Sequence, residues 1–339
     1  MSYLGKPYTL KGLTLRNRVV MSPMCQYSVD AEDGIPNEWH YVHYTSRAIG
    51  GTGLVIIEMT DVEPDGRITN RDLGLWSDDH IPAFRRIIDQ LHKYGAKVAI
   101  QVAHAGRKAQ DANPPVGPGD VPFDDTYKKP RALTTEEAWQ LVGKFADAAR
   151  RAVAAGVDTI ELHGAHGYLI HQFQSPNSNK RADEFGQDLS KFGVEVIKAV
   201  KAVIPADMPL IMRVSAVEYA EGGYDIDYAI DLCRKYRDAG VDMFDVSSGG
   251  DGVSAGRKPG NFPGYHVPLA VAIKKALDVP VITVGLIDDA KLAESVLGSG
   301  NADLVAVGRG MLRNPYWAVD ALRQLDGKTE VVPQYERGY

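Results

Sequence analysis

Short apolar runs rich in β-branched residues recur along the chain, and a longer stretch with helical spacing follows each of them. This alternation predicts βα units in a parallel sheet, and uninterrupted apolarity suits strands that are covered on both faces. The eight runs lie at residues 18–22, 53–59, 97–102, 159–163, 210–215, 243–247, 281–285 and 304–308. A (β/α)8 TIM barrel has eight strands, so we predict that α/β fold, with a doubly wound sheet as the alternative.

Repeated turns support one domain rather than two. Ala-Gly-Val-Asp occurs at 155–158 and again at 239–242, and Gly-Asn-Ala-Asp takes the same place at 300–303. In each repeat glycine ends a helix and a polar turn leads into a strand. No linker rich in proline, glycine, serine or charge divides the 339 residues. We therefore predict a single domain over residues 1–339, with a C-terminal tail at 331–339.

Composition excludes several classes of protein. The 38 basic and 44 acidic residues give a net charge of −6, which argues against a nucleic-acid partner. The chain has two cysteines, Cys25 and Cys233, too few for a disulfide framework or a four-thiolate iron–sulfur site. No apolar run approaches the ~18 residues of a membrane span, and the amino terminus lacks a signal-peptide pattern. We expect a cytoplasmic protein that acts on small molecules.

Polar residues end several predicted strands, and in a barrel such residues point into the mouth where active sites lie. They are Gln101, His163, Arg213 and Ser247. An arginine after the buried run 209–212 is costly unless an anion or a polar ligand meets it. Arg213 therefore predicts a ligand contact, and the alternative is an ion pair with a barrel carboxylate such as Glu58 or Glu161.

Glycine ends the seventh and eighth predicted strands, at Gly285 and Gly308, and Arg309 follows directly. Barrels often bind phosphate between these two loops, because glycine lets backbone N–H groups approach and a basic side chain adds charge. The chain lacks both the dinucleotide glycine fingerprint and a P-loop. The pattern thus predicts the phosphate of a ligand held in the mouth.

The segment from His163 to Tyr168 contains two histidines three residues apart, His163 and His166. The pair allows three interpretations. A metal site lacks a third ligand at suitable spacing. A structural pair would be bonded to backbone groups. The third hypothesis is a pair of donors that converge on one oxygen atom, with Tyr168 beside them as an acid.

Cys25 and Tyr27 follow the first predicted strand. A cysteine in this position is either a small buried hydrophobe or a residue of the mouth, and the tyrosine either packs or offers its hydroxyl to a ligand. Two long segments, 111–131 and 164–185, also follow strand ends. We expect both to border the site.

Taken together, these residues resemble the Old Yellow Enzyme family of FMN-dependent ene-reductases, in particular its short bacterial branch with a cysteine after the first strand. The resemblance covers essentially the whole chain. Its motifs are NRVVMSPMC at 17–25, QVAHAGRK at 101–108, HGAHGY at 163–168, SP at 175–176, SNKR at 178–181, GR at 308–309 and QYERG at 334–338. The resemblance implies a TIM barrel that uses FMN and NADPH to reduce activated alkenes.

The resemblance also implies which residues hold the flavin. They are Ser22, Pro23, Met24, Cys25, Met59, Gln101, His163, Arg213, Gly285, Gly308 and Arg309. Among these, Cys25 would tune the redox potential and Gln101 would bind the pyrimidine edge of the ring. Arg213 would lie near N1, where positive charge favours the anionic reduced flavin.

For the substrate, the resemblance implies that His163 and His166 donate hydrogen bonds to a carbonyl or nitro oxygen. Donors aimed at developing charge are commonly worth ~3 kcal/mol each. Tyr168 would donate the proton to the α-carbon, and Tyr27 would orient the substrate. In this branch the matching C-terminal arginine enters a neighbouring subunit, so Arg337 implies a homodimer or homotetramer.

The chain departs from the family pattern in three places. Residues 185–192 replace the usual aromatic, glycine-pair and Glu-Asn-Arg segment, which leaves the start of that helix open. Met59 stands where a small residue is common, and Asn177 replaces a leucine. Three alternative functions are a flavin-binding redox sensor switched by Cys25, another FMN-barrel dehydrogenase, and a phosphate-binding aldolase- or isomerase-like barrel without flavin.

Overall fold

A closed parallel barrel forms the centre of the protein, in a computed structural model that describes residues 1–252 and 258–339. Its strands are β1 Val19–Met21, β2 Leu54–Asp61, β3 Lys97–Ala103, β4 Thr159–Gly164, β5 Leu210–Ser215, β6 Met243–Ser247, β7 Val281–Thr283 and β8 Leu304–Val307. Strand β1 pairs with β8 on one side and with β2 on the other, so the sheet has no free edge there. The predicted TIM barrel is confirmed, and the doubly wound alternative is wrong.

Eight helices surround the described part of the barrel. They are α1 Glu38–Ile49, α2 Ile81–Lys93, α3 Thr135–Ala155, α4 Lys191–Lys201, α5 Ile226–Ala239, α6 Val267–Leu277, α7 Ala290–Gly298 and α8 Trp317–Asp326. Local chemistry fixes their ends, as α3 illustrates. The Thr134 hydroxyl accepts from the Glu137 N–H, and the Glu137 carboxylate accepts from the Thr134 N–H. Gly156 then ends the helix at φ +104°.

The departure at residues 185–192 has a clear structural outcome. A short helix at Glu184–Gln187 precedes α4, which begins at Lys191. The Asp188 carboxylate accepts hydrogen bonds from the backbone N–H and the hydroxyl of Ser190 between them. Phe192 is fully buried and stacks on Phe173 with ring centroids 4.1 Å apart. The unusual sequence therefore still packs against the segment that follows β4.

A β-hairpin closes the amino-terminal end of the barrel. Its strands, Tyr8–Leu10 and Leu13–Leu15, pair antiparallel. Leu13 and Leu15 are buried against the inward-facing residues of the lower barrel. This apolar cluster also contains Val20, Leu54, Ile56, Ala99, Ile211, Met243, Ile282, Leu304 and Ala306. The hairpin thus closes the amino-terminal end of the barrel, so ligands can enter from the carboxyl-terminal end.

Among the residues that the structure describes, none of the helices combines the length and the apolar composition that a bilayer crossing requires.

Candidate active site

The strand ends gather the predicted flavin-binding residues at the carboxyl-terminal mouth. The Ser22 N–H donates to the Val307 carbonyl at 3.1 Å, which places the end of β1 beside the end of β8. A Cβ atom on Gly308 would lie 3.5 Å from the Met24 sulfur and 3.9 Å from the Cβ of Ser22. The segments that carry the cysteine and the proposed phosphate site therefore adjoin each other.

The two histidines also meet in the mouth. His163 is buried at the end of β4, and its ring centroid lies 5.2 Å from that of His166 and 4.8 Å from that of Tyr168. Its Nδ1 accepts the Ala165 N–H at 3.3 Å, so the ring proton sits on Nε2. Burial, with a contribution from Arg213, holds the pKa of His163 well below its ordinary value. His163 is therefore a neutral imidazole with a donor on Nε2.

His166 is held by hydroxyl groups of the neighbouring strands. Its backbone N–H donates to the Ser215 hydroxyl at 3.1 Å, and its Nε2 lies 2.7 Å from the Ser247 hydroxyl. Its backbone adopts the left-handed region, with φ +59°. Burial, with Arg213 and His163 contributing, lowers the pKa of the ring well below its ordinary value. Both histidines are thus uncharged and fixed from below by the strand ends.

Cys25 and Tyr168 line the same wall of the mouth, where both pack against a small apolar cluster. Met59 belongs to that cluster and is fully buried, so this larger side chain contributes packing at the end of β2. Burial raises the pKa of Cys25 well above its ordinary value, and the charges of Asp72 and Glu58 raise it further. The thiol is therefore protonated at neutral pH.

Tyr27 lies further out than Cys25. Its side chain is 42% exposed, and its backbone is in the left-handed region at φ +51°. Burial raises the pKa of the Tyr168 phenol well above its ordinary value, with Cys25 and Tyr27 adding to the effect. Tyr168 thus keeps its proton and is available as an acid.

Lys108 ties the histidine segment to the loop after β6, a role that the sequence did not reveal. Its ammonium donates to the His166 carbonyl at 2.9 Å and to the Gly250 carbonyl at 3.2 Å. It also lies 4.3 Å from the ring centroid of Phe123 and 5.0 Å from that of Tyr168. A side chain at position 250 is excluded, because its Cβ would come within 2.4 Å of His166. Segment 111–131 therefore reaches the mouth through Phe123.

A buried polar network supports the same loops from behind. His171, Glu218 and Asp251 lie close enough to suggest metal ligands. However, His171 accepts the Gly167 N–H on Nδ1 at 2.9 Å and contacts Glu218 with Nε2 at 3.0 Å. Asp251 accepts from Arg107 at 2.5 Å and from a serine hydroxyl. Since these groups already satisfy one another, we assign the network a supporting role.

Arg213 points into the barrel at the level of His163 on the adjacent strand. Its Nε lies 3.2 Å from Oδ2 of Asp245 on β6. The ion pair considered from the sequence is therefore present, but its partner is neither Glu58 nor Glu161. Glu58 instead accepts a hydrogen bond from Tyr44 of α1 at 3.1 Å, on the outside of the barrel. Sequence spacing could not identify Asp245, because the pairing depends on the register between β5 and β6.

The loops after β7 and β8 form a cradle that suits a phosphate. Gly285 has φ +119°, and a Cβ there would lie 3.2 Å from the backbone nitrogen of His266. The buried ring nitrogen Nδ1 of His266 would lie 3.3 Å from the same Cβ. Arg309 is exposed and begins the short helix Arg309–Arg313 after Gly308. Backbone N–H groups and a guanidinium are the donors that a phosphate dianion requires.

Comparison with known proteins identifies the family. Residues 3–327 match the model of the NADH:flavin oxidoreductase / NADH oxidase family, an FMN-linked group of oxidoreductases. The chain belongs to this family. It is 48% identical over 342 residues to an NADPH dehydrogenase of Listeria monocytogenes serotype 4a, with full coverage of both chains. It is 44% identical to an NADPH dehydrogenase of Geobacillus thermodenitrificans, covering 99% of this chain and 98% of the relative.

Solved structures agree with the family assignment. Morphinone reductase superposes with a TM-score of 0.81 at 25% identity, covering 98% of this chain and 91% of that one. A 2-naphthoyl-CoA reductase superposes with a TM-score of 0.89 at 24% identity over 96% of this chain and 52% of that one, and supports the fold alone. The family resemblance expected from the sequence is confirmed, and the protein is an FMN-linked oxidoreductase of the Old Yellow Enzyme type.

The residues present fit FMN. The cradle around Gly285, Gly308 and Arg309 suits the phosphate, because a side chain at position 285 would fill the space beside His266 and Arg309 adds a positive charge. In the barrel, the Gln101 amide nitrogen donates to Glu161 at 2.8 Å, so its carbonyl oxygen is the group that remains for a ring N–H. Arg213 supplies a buried positive charge at the same level. An aldolase- or isomerase-like barrel without flavin is thus ruled out by the family.

Proposed function

We propose that the protein reduces the carbon–carbon double bond of small alkenes that a carbonyl or nitro group activates, with NADPH as the reductant. One observation carries the proposal. A neutral His163 with its proton on Nε2 lies in ring contact with both His166 and the protonated Tyr168, and Tyr168 packs against the same apolar cluster as Cys25. Uncharged donors and an acid beside an apolar wall suit an uncharged, electron-poor alkene.

The choice of NADPH rests on the relatives. Proteins 44–48% identical over their full length carry the name NADPH dehydrogenase. Morphinone reductase, at 25% identity, has been solved in complex with tetrahydroNAD, a nicotinamide analogue. Because the hairpin plugs the other end of the barrel, we infer that NADPH and alkene use the same mouth in turn.

When bound, FMN would supply hydride-transfer chemistry between the nicotinamide and the β-carbon of the alkene. The chain holds and tunes it. Ser22, Pro23, Met24 and Cys25 would lie along the ring, and Gly285, Gly308 and Arg309 would bind the phosphate. Arg213 would face the pyrimidine end of the ring, where its charge stabilises negative charge.

Polarisation of the substrate is the task of the histidines. His163 donates from Nε2 to the activating oxygen. Nε2 of His166 lies 2.7 Å from the Ser247 hydroxyl, and we assign the hydroxyl as the donor, which leaves the ring proton on Nδ1 for the same oxygen. These two hydrogen bonds strengthen as negative charge develops on that oxygen, so they lower the barrier for attack at the β-carbon.

Proton delivery is the task of Tyr168, whose raised pKa keeps the phenol protonated at neutral pH. It donates to the α-carbon, and Tyr27 orients the substrate from the rim. Cys25 contacts the substrate and tunes the flavin. Its raised pKa disfavours the redox-sensor alternative, because a sensor needs a low-pKa thiolate.

The C-terminal tail extends this site to a second subunit. Residues 333–338 form a short, exposed 3₁₀ helix held by a contact between the Tyr316 and Tyr335 hydroxyls at 3.4 Å. Arg337 is exposed on it. We infer that Arg337 enters the mouth of a neighbouring copy in a homodimer or homotetramer, where its planar charged group covers the substrate. A cytoplasmic location, with both cysteines reduced, fits this function.

Isotope labelling tests the proposal directly. The purified protein should carry FMN, visible in its absorption spectrum, and should oxidise NADPH when cyclohexenone is added without oxygen. Deuterium from labelled NADPH should appear at the β-carbon of the product, and deuterium from heavy water at the α-carbon. Reduction no faster than with free reduced FMN, or label at the carbonyl carbon, would refute the assignment.

A further inference from the structure

Three ionisable side chains on consecutive strands point toward the barrel axis beneath the mouth. Glu161 of β4 is paired in register between Gln101 of β3 and Ile211 of β5, and Arg213 is paired with Asp245 of β6. Glu161 and Asp245 are fully buried, and Arg213 nearly so. We call these three groups the axial cluster. Its two carboxyl groups, those of Glu161 and Asp245, have no role in the chemistry above.

The axial cluster contains more negative charge than its arginine can balance. Two carboxyl groups face one guanidinium, whose Nε lies 3.2 Å from Oδ2 of Asp245. Within the described residues, Oε2 of Glu161 and both oxygens of Asp245 lack a hydrogen-bond partner. An uncompensated buried carboxylate is costly, so one carboxyl of the pair should hold a proton.

The buried environment of the two carboxyl groups also favours a bound proton. Burial, with Asp245 contributing, raises the pKa of Glu161 to about 8, although Arg213 and the Gln101 amide oppose the shift. Burial also raises the pKa of Asp245. The other groups at this level are uncharged: the amide of Gln101 and the neutral ring of His163.

We propose that Glu161 and Asp245 share one proton and thereby set how much of the positive charge of Arg213 reaches the bound flavin. They are positioning residues, since they act through Arg213. The inference rests on the proposed site, in which Arg213 faces the pyrimidine end of FMN. With the proton bound, the cluster is neutral overall. Without it, the cluster carries one net negative charge beneath the ring.

A consequence is that reduction of the flavin and protonation of the axial cluster are linked. Reduction places negative charge above Arg213, which makes a second negative charge in the cluster less favourable. Near and above pH 8, where the oxidised protein has lost the shared proton, reduction should take up one proton into the flavin and one into the carboxyl pair from solvent. Below that pH the cluster is protonated in both states, and the flavin alone takes up a proton.

The test is the midpoint potential of the FMN-loaded protein between pH 7 and 9.5. For the wild type, the dependence should steepen from one proton per two electrons to nearly two above pH 8. Glu161→Gln should keep one proton per two electrons throughout, because the amide cannot titrate. Asp245→Asn should also lose the steep region and should have a higher potential, since Arg213 then has less negative charge beside it. Asp158→Asn removes a partly buried carboxyl at the amino-terminal end of β4, where it accepts the Val98 N–H, and should retain the wild-type dependence.

A second measurement needs no flavin. The infrared spectrum of the FMN-free protein at pH 7 should contain the carbonyl stretch of a buried protonated carboxylic acid, which fades near pH 8 and is lost in Glu161→Gln. A wild-type potential with one slope over the whole range, or a steep region that persists in Glu161→Gln, would overturn the inference while enone reduction stands. A protein that binds no FMN would instead overturn the proposed function, and the infrared result would still judge the shared proton.

Discussion

The Lys108 ammonium lies 2.9 Å from the carbonyl oxygen of His166 and fixes the left-handed backbone of a proposed substrate ligand. Lys108→Met leaves two backbone carbonyls without their charged donor, a loss of about 1.5–3 kcal/mol for such a bond. We expect the His166 segment to move when these bonds are lost. If the whole loss of free energy is felt in the transition state, kcat/KM for enone reduction should fall 10- to 100-fold with FMN retained.

Lys108→Arg is the matched control, because it keeps the charge and the donors. It should restore part of the activity, whereas a purely steric role would make the bulkier arginine as harmful as methionine. Stopped-flow measurement of both half-reactions separates the effect on substrate from any effect on NADPH.

Replacing both histidines with alanine should slow alkene reduction far more than it weakens FMN binding. With donors worth ~3 kcal/mol each, loss of either one should lower the rate constant of the oxidative half-reaction about 100-fold. Binding of phenols, whose oxygen should accept hydrogen bonds from the same two histidines, should weaken in parallel. A chelator should leave the wild type unaffected. Activity that zinc restores after chelation would instead assign His163 and His166 to a metal.

Tyr168→Phe should slow reoxidation of the flavin by an enone more than flavin reduction by NADPH, because the variant lacks the α-proton donor. A loss of 10- to 100-fold in the first step is expected for a general acid that water partly replaces. The ratio of the two rate constants is the measurement. Equal slowing of both half-reactions would give Tyr168 a positional role.

Deleting residues 334–339 should raise KM for enones and leave FMN in place, because Arg337 is inferred to act in the neighbouring mouth. Arg337→Ala should reproduce the kinetic effect without changing the mass in solution, which separates the arginine from the rest of the tail. Light scattering and steady-state kinetics measure the two effects. A monomeric wild type at micromolar concentration, or an unchanged KM, would contradict the inference.

Stability should fall in acid partly because of His43. Burial, with Arg47 contributing, lowers the pKa of this ring to about 3, while the unfolded chain has an ordinary histidine. Between pH 6.5 and 3 the unfolded state therefore binds the extra proton, and the free energy of unfolding falls as the pH decreases. The slope from one such group is at most about 1.4 kcal/mol per pH unit. In urea titrations, the free energy of unfolding of His43→Leu should fall less steeply with decreasing pH than that of the wild type, at an unchanged m-value. An identical pH dependence would refute the role of His43.

Much of the architecture followed from periodicity. Each of the eight predicted runs contains or overlaps a barrel strand, because strands covered on both faces must be apolar throughout. The same pattern predicted that Gln101, His163 and Arg213 lie at the mouth. A polar residue at the carboxyl end of a buried apolar run can avoid the core by facing the mouth of the barrel. The predicted edges differ by one or two residues, as at β2, which extends to Asp61.

Contacts between distant segments were beyond the sequence. Asp245 was missed as the partner of Arg213 because their pairing depends on the register of two strands 32 residues apart. Lys108 belongs to the motif at residues 101–108, yet its bond to His166 depends on how two loops fold over the mouth. Phe123 lies in segment 111–131, whose irregular course no periodic pattern describes. The dimer contact of Arg337 stays a prediction.

The two ends of the barrel differ in packing. The amino-terminal end, which we call the floor, is closed by the hairpin, and the carboxyl-terminal end, which we call the rim, contains strained backbone. Leu13 and Leu15 bury their side chains in one apolar layer, whereas Tyr27, His166 and Leu286 at the rim hold left-handed backbones. Amide protons of the floor should therefore exchange with solvent only on global unfolding, and those of the rim through local opening. On heating, flavin should dissociate while the helices remain intact. The visible absorption of bound flavin should therefore change at a lower temperature than the far-ultraviolet circular dichroism.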